Sequence, residues 1–187
     1  MDPRLFLPVL WLAWVLYWWI SARDVKTTRW REPLKSQLLH RAPLLIGALL
    51  FAVPRWAPRA LKARFLPTGN LPWLLGTILV AAGLGFSVWA RRHLGRNWSA
   101  EVVVKEDHAL VRTGPYRYLR HPIYTGLLVA FLGTAISIGE WRGLLAFLLM
   151  LVSLGIKSRA EEARMRETFP DYAQYQRESA AIVPFVW

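Results

Sequence analysis

The sequence predicts an all-α integral membrane protein with about five transmembrane helices. Three observations predict it. The chain is 55% hydrophobic. Its apolar residues gather into five runs, at 5–20, 43–57, 71–90, 122–139 and 142–157. Between the runs lie the cations that give a formal net charge of +12. A hydrocarbon core about 30 Å thick needs about 20 apolar residues per helix. Backbone in lipid must satisfy its own hydrogen bonds, which a helix does. Period-two alternation is absent, which argues against a β-barrel. The cations alternate with apolar runs and do not form one basic face, so no nucleic acid partner is expected. Cysteine is absent. That removes disulfides, thiol nucleophiles and thiolate metal sites.

The first run, "LFLPVLWLAWVLYWWI" (5–20), is preceded by Arg4 as its one basic residue and followed by no small-residue cleavage site. It therefore reads as a retained helix and not as a signal peptide. The second run is short and interrupted by Pro54 and Arg55. The last two are separated only by "GEWRG" (139–143), so their helices must form an antiparallel hairpin. Residues 142–169 lack proline, and 28 residues at 1.5 Å each span about 42 Å, longer than the hydrocarbon core. Pro170 is the natural stop. The final helix thus carries "KSRAEEARMRETF" (157–169) out of the membrane. Residues 1–187 read as one membrane domain, with helices one and two in 1–60 and the core in 71–187.

The positive-inside rule sets the orientation. The segments between helices one and two and between helices three and four, with the tail after helix five, hold 18 of the 24 Lys and Arg; the opposite side holds 6. The N-terminus is expected outside and the C-terminus in the cytoplasm, in a bacterial inner membrane.

No dinucleotide-binding glycine fingerprint, P-loop or serine elbow occurs. The four histidines, at 40, 93, 108 and 121, are too scattered for a local metal motif, and no metal is expected. Chemistry is left with two polar clusters. The first is "LVRTGPYRYLRHPIY" (110–124). Gly114–Pro115 signals a turn. Pro122 sits in a helix's first turn, where its missing N–H costs nothing. Amides at such a start are free for a carboxylate or phosphate. Arg117 and Tyr118 read equally as an interfacial belt. The second cluster is Lys157, Arg159, Glu161 and Glu162. Arg159–Glu162 and Glu162–Arg166 have the spacing of ordinary surface pairs. The same glutamates stand just past an apolar run, where ionisable groups are functional candidates. The spacing leaves both readings open. "EVVVKEDHALVRTG" (101–114) has a Val stretch and a turn at Glu106–Asp107, so a short hairpin over the first cluster is expected.

"LGRNWS", "HALVRTGPYRYLRHPIYTG", "EEARMRETFPDYAQY" and the late "VPF" together resemble the isoprenylcysteine carboxyl methyltransferase family. That family sits in a wider group of membrane methyltransferases that includes phospholipid N-methyltransferases. The resemblance covers roughly residues 93–186, about half the chain. It implies a helical C-terminal half that encloses S-adenosylmethionine in a pocket between the hairpin and its cytoplasmic extension. His121, Pro122, Tyr124 and Gly126 match the R-H-P-x-Y-x-G element, Tyr116 the tyrosine before it, and Glu161 and Glu162 the paired glutamates. These would hold the cofactor, with Val111 and Gly114 in the adjoining wall. Lys157 stands where many relatives carry arginine, and Asp171 follows Pro170 where relatives have glycine after the phenylalanine.

The implied reaction is methyl transfer to a lipophilic acceptor at the cytoplasmic face, with the carboxylate of a prenylated or isoprenoid-like molecule favoured. Lys157 or Arg159 would then supply the acceptor-side cation. A phospholipid amine is the alternative, with Glu161 or Glu162 removing its proton. Two rivals belong to other classes: a nicotinamide-dependent membrane reductase, and a non-catalytic protein that binds anionic lipids through its cytoplasmic cations.

Overall fold

The computed structural model describes residues 5–23, 28–98, 103–105 and 110–183. Five long helices appear where the apolar runs lie: α1 (Phe6–Ser21), α2 (Leu34–Ala52), α3 (Asn70–Leu94), α4 (Pro122–Ile138) and α5 (Trp141–Thr168), followed by a short α6 (Tyr172–Glu178). The expected stop holds: α5 runs 28 residues and ends two residues before Pro170. By length and composition, the helices over Asn70–Asn97 and Trp141–Thr168 are long enough to cross a membrane; α1 and α4 are apolar but shorter. Many large apolar side chains point outward, among them Leu12, Trp19, Leu45 and Ile78. Such an outer surface suits hydrocarbon and not water.

One boundary differs from the expectation. α2 begins at Leu34, well before the apolar run, and its start is tied by Glu32, just before the helix, which accepts from Ser36 and pairs with the buried His40. Pro43 lies inside α2 and removes one ladder hydrogen bond. The Ser153 hydroxyl donates to the nearby His40 carbonyl at 2.6 Å and supports the backbone there. Val53 leaves the helix because a residue before proline is disfavoured in the α region.

The expected hairpin over 101–114 is also corrected. Val103–Lys105 (β2) pairs antiparallel with Thr28–Arg31 (β1), from the connection between α1 and α2. Glu106–Asp107 lies outside the described residues. A distant extended segment supplied the ladder bonds that the sequence assigned to a local neighbour.

α4 is the central helix. It packs antiparallel to α3 at two glycine contacts. A Cβ on Gly126 would stand 2.5 Å from the Gly83 carbonyl, and one on Gly133 would stand 2.5 Å from the Gly76 carbonyl. Small residues allow the close approach on which helix association in lipid depends. Gly126→Ala should therefore lower the melting temperature in detergent by several degrees, with fluorescence unfolding as the measurement. An unchanged melting temperature would mean that the crossing can widen freely. α1 docks on the same pair of helices through two indole N–H groups, Trp11 to Thr134 Oγ1 at 3.1 Å and Trp14 to Ser87 Oγ at 2.8 Å. An indole donor in an apolar setting needs such a partner. At the far end, Arg142 reaches Glu140 at 2.6 Å and the Leu50 carbonyl at 2.6 Å, which ties the end of α2 to the α4–α5 turn.

Candidate active site

The site forms where α4 begins and α5 leaves its apolar run. The chain reaches α4 through a 3-10 turn, Gly114–Arg117, entered by Gly114 at φ +57. A side chain at Gly114 would also strike the His93 ring, so both backbone and space require glycine. Tyr116 is buried against Ala90 and Ile123, with Val111 packed beside them. Burial, with Tyr175 and Glu161 nearby, raises the Tyr116 phenol above its ordinary value and keeps it neutral.

The C-terminal segment fixes the start of α4. Arg120 N–H donates to the Ala180 carbonyl at 2.8 Å and His121 N–H to the Ala181 carbonyl at 2.9 Å, while Ala180 N–H returns to the Tyr118 carbonyl at 3.0 Å. At the helix start itself the His121 amide is therefore taken by the C-terminal segment, and the Tyr124 N–H turns back on the His121 carbonyl at 3.0 Å. α6 adds the Tyr175 hydroxyl, which donates to the Tyr116 carbonyl at 2.6 Å. Burial pushes the Tyr175 phenol up to about 12.

His121 stands between the paired glutamates. Its Nδ1 lies 3.3 Å from Glu161 and its Nε2 3.2 Å from Glu162. Two acceptors on opposite ring nitrogens are both satisfied only by the imidazolium. Burial by itself would lower the His121 pKa, but the bonds and charges of the two carboxylates outweigh it and raise the value above 6.5. The Tyr124 hydroxyl donates to Glu161 at 2.6 Å, and its ring lies parallel to the His121 ring, 5.3 Å away. Lys157 approaches Glu161 at 3.8 Å and sits 5.5 Å from the centre of the Tyr124 ring. Glu162 is 8% exposed. It accepts from Arg120 Nε at 2.6 Å and from Gln176 at 2.7 Å. The surface-pair reading of Glu162 therefore gives way: the side chain is buried and takes Arg120, 42 residues back, as a cationic partner, while Arg166 donates to the Glu162 backbone carbonyl at 3.4 Å.

The structure thus brings together Tyr116, His121, Pro122, Tyr124, Lys157, Glu161 and Glu162. Arg159 is exposed, two residues before Glu161 and so about 200° round the helix from it. Gly126 faces α3 and not the cluster. Arg117 and Tyr118 lie outside it, exposed and near each other, as an interfacial belt would be. Arg120 and Gln176 are site residues that the sequence does not single out. Arg120 lies beside His121 in the R-H-P-x-Y-x-G element, yet along the chain it reads only as a cytoplasmic cation. Gln176 had no signal, because Pro170 separates it from the helix that carries Glu162.

Residues 71–172 match the family described as phospholipid methyltransferase. The chain belongs to that family. Its relatives include protein-S-isoprenylcysteine O-methyltransferase of Schizosaccharomyces pombe, 34% identical over 96 residues, covering 49% of this chain and 41% of that protein. Cobalt-zinc-cadmium resistance protein CzcN of Cupriavidus metallidurans is 27% identical over 143 residues, covering 75% of this chain and 58% of that one. The chain spans about half the length of the curated relatives it matches. Among solved structures, the eukaryotic intramembrane Ras methyltransferase ICMT (isoprenylcysteine carboxyl methyltransferase) shares the fold at a TM-score of 0.55 and 22% identity, over 83% of this chain and 55% of that one. Every residue of the His121–Glu161–Glu162 cluster lies inside the matched phospholipid methyltransferase region; Gln176 lies just beyond it.

Proposed function

We propose that this protein transfers the methyl group of S-adenosylmethionine to a lipophilic acceptor at the cytoplasmic face of a membrane. All five long helices would span, with the N-terminus outside and the C-terminus and the site in the cytoplasm. The observation that carries this reading is the His121–Glu161–Glu162 cluster, three buried or half-buried ionisable groups at the polar end of apolar helices. Such groups are costly beside lipid and are kept for function. The names of the isoprenylcysteine O-methyltransferase relatives support methyl transfer, and the family supports a lipid-like acceptor.

The donor set fits the cofactor. Glu161 and Glu162 suit ribose hydroxyls and an α-amino group, and the flat His121–Tyr124 pair suits a purine. When bound, S-adenosylmethionine supplies an activated methyl group. The protein's task is to align acceptor and methyl and to exclude water. His121 holds both carboxylates at fixed spacing, and Arg120 with Gln176 locks Glu162 against the C-terminal segment. The apolar surface beside α4 admits the acceptor from the bilayer.

Calorimetric titration of the detergent-solubilised protein should show S-adenosylmethionine binding at about micromolar affinity, and no NADPH binding. A folded protein that takes up no S-adenosylmethionine would remove this reading.

A further inference from the structure

A groove on the outer side of α3 takes no part in the site described above. It is lined by Gly85, Val88, Trp89, Arg92 and His93 and encloses about 380 Å³. Gly85, Val88, Trp89 and Arg92 follow the i, i+3, i+4, i+7 spacing and share one helix face. The opposite face carries the buried Gly83, Ser87 and Ala90; Gly83 meets α4, and Ser87 accepts from Trp14 of α1. α3 therefore stands between the groove and the His121–Glu161–Glu162 cluster. A molecule held in the groove is not positioned to be the methyl acceptor.

The groove is graded along the helix. From Gly85 to Arg92 the chain rises about 10 Å. At the inner end Gly85 has open space where a side chain would stand. Val88 and the 51% exposed Trp89 form the apolar wall beside it. At the outer end Arg92 and His93 are exposed, just before α3 stops at Leu94. This helix is long and apolar enough to cross a membrane, so its end marks the level where hydrocarbon gives way to head groups. Tryptophan favours that level, and arginine there attracts anionic lipid.

Charge and polarity together select the occupant. A soluble anion would use Arg92 and leave the apolar half empty. A bare hydrocarbon chain would leave the guanidinium without a counter-charge. A zwitterionic lipid would bring its own cation toward Arg92. An anionic phospholipid satisfies both ends. We propose that this groove binds one anionic phospholipid, with its phosphate at Arg92 and His93 and the start of one acyl chain against Gly85 and Trp89. The planar guanidinium can hold a phosphate by two parallel N–H bonds. The volume is that of a small-molecule site, enough for a head group and the first part of a chain. His93 joins the groove to the rest of the protein. Its Nε2 lies 2.8 Å from Thr113 Oγ1, and a Cβ on Gly114 would stand 2.6 Å from its ring. Those two residues lead into the turn that carries Tyr116. A lipid phosphate beside His93 steadies that turn, so occupancy stabilises the fold.

The test uses the purified full chain in neutral detergent, with phosphatidylglycerol or phosphatidylcholine of the same acyl chains. Bound lipid is counted by native mass spectrometry, and melting is followed by tryptophan fluorescence. Wild type should keep one phosphatidylglycerol where phosphatidylcholine is lost, and melt several degrees higher with it. Gly85→Leu keeps every charge and fills the groove; Arg92→Gln keeps the groove and removes the cation. Each should weaken phosphatidylglycerol binding about tenfold or more. Arg117→Gln, which removes an exposed cation elsewhere, should bind it as wild type does. Undiminished binding in Gly85→Leu would mean attraction by net charge alone and overturns the groove as the site. Equal binding of the two lipids, or equal losses in Arg92→Gln and Arg117→Gln, also overturns the proposal. So does stabilisation by inorganic phosphate as large as that by the lipid. None of these readouts involves S-adenosylmethionine, so their failure leaves the methyl-transfer reading intact.

Discussion

Glu162→Ala should reduce S-adenosylmethionine affinity by about a hundredfold or more in calorimetric titration. The side chain accepts from Arg120, His121 and Gln176, so its loss removes a proposed cofactor contact and one of the bonds that hold α6 over the site. It also leaves two cations facing an uncompensated buried space, and breaking a buried ion pair from one side costs about 3–5 kcal/mol. Arg120 keeps the Gln176 and Ser179 carbonyls as partners, which limits the structural damage. Glu162→Gln separates the two effects. It preserves shape but not charge, so it should melt below wild type while remaining folded, and bind at least about tenfold more weakly. Wild-type affinity in a folded Glu162→Gln would place the cofactor elsewhere.

His121→Ala should abolish measurable cofactor binding, because the same ring sets the position of both glutamates. Without it, two carboxylates adjacent in sequence repel each other across a buried gap. The imidazolium also makes a pH signature. Its folded pKa is raised above the ordinary 6.5, so its stabilising contribution is fully present below 6.5 and is lost as pH rises through the folded value. The wild-type melting temperature in detergent should therefore fall as pH climbs above about 6.5, and the fall should flatten in His121→Gln. An identical pH dependence in the variant would show that His121 does not titrate in that window.

Much of this architecture was legible in the chain because lipid imposes simple rules. Apolar runs mark helices when backbone has no other hydrogen-bond partner. The "GEWRG" turn left its two helices no choice but to return antiparallel, and the absence of proline over 142–169 carried α5 past the membrane to Thr168. The cost of ionisable groups beside lipid made the "RHPIY" and "EE" elements candidates, and their resemblance to the isoprenylcysteine carboxyl methyltransferase family gave them their expected site roles.

Other features depended on partners far away in sequence. Whether Glu162 was a surface residue of α5 or the buried partner of Arg120 could not be read from its i,i+3 and i,i+4 neighbours, since both arrangements suit the same spacing. The pairing of β2 with β1 overruled a local hairpin, and the Ala180–Ala181 carbonyls took amides that the helix start left open. Gly126 looked like part of a binding motif and proved to be a helix crossing, because a Cβ there would meet the backbone of α3. Local physics, the 3.6-residue period and the cost of polar groups in lipid, is written along the chain and determined the helices and the candidate residue types. Which donor faces which carboxylate is decided by contacts between residues tens of positions apart, and only the packed protein brings those within hydrogen-bonding distance.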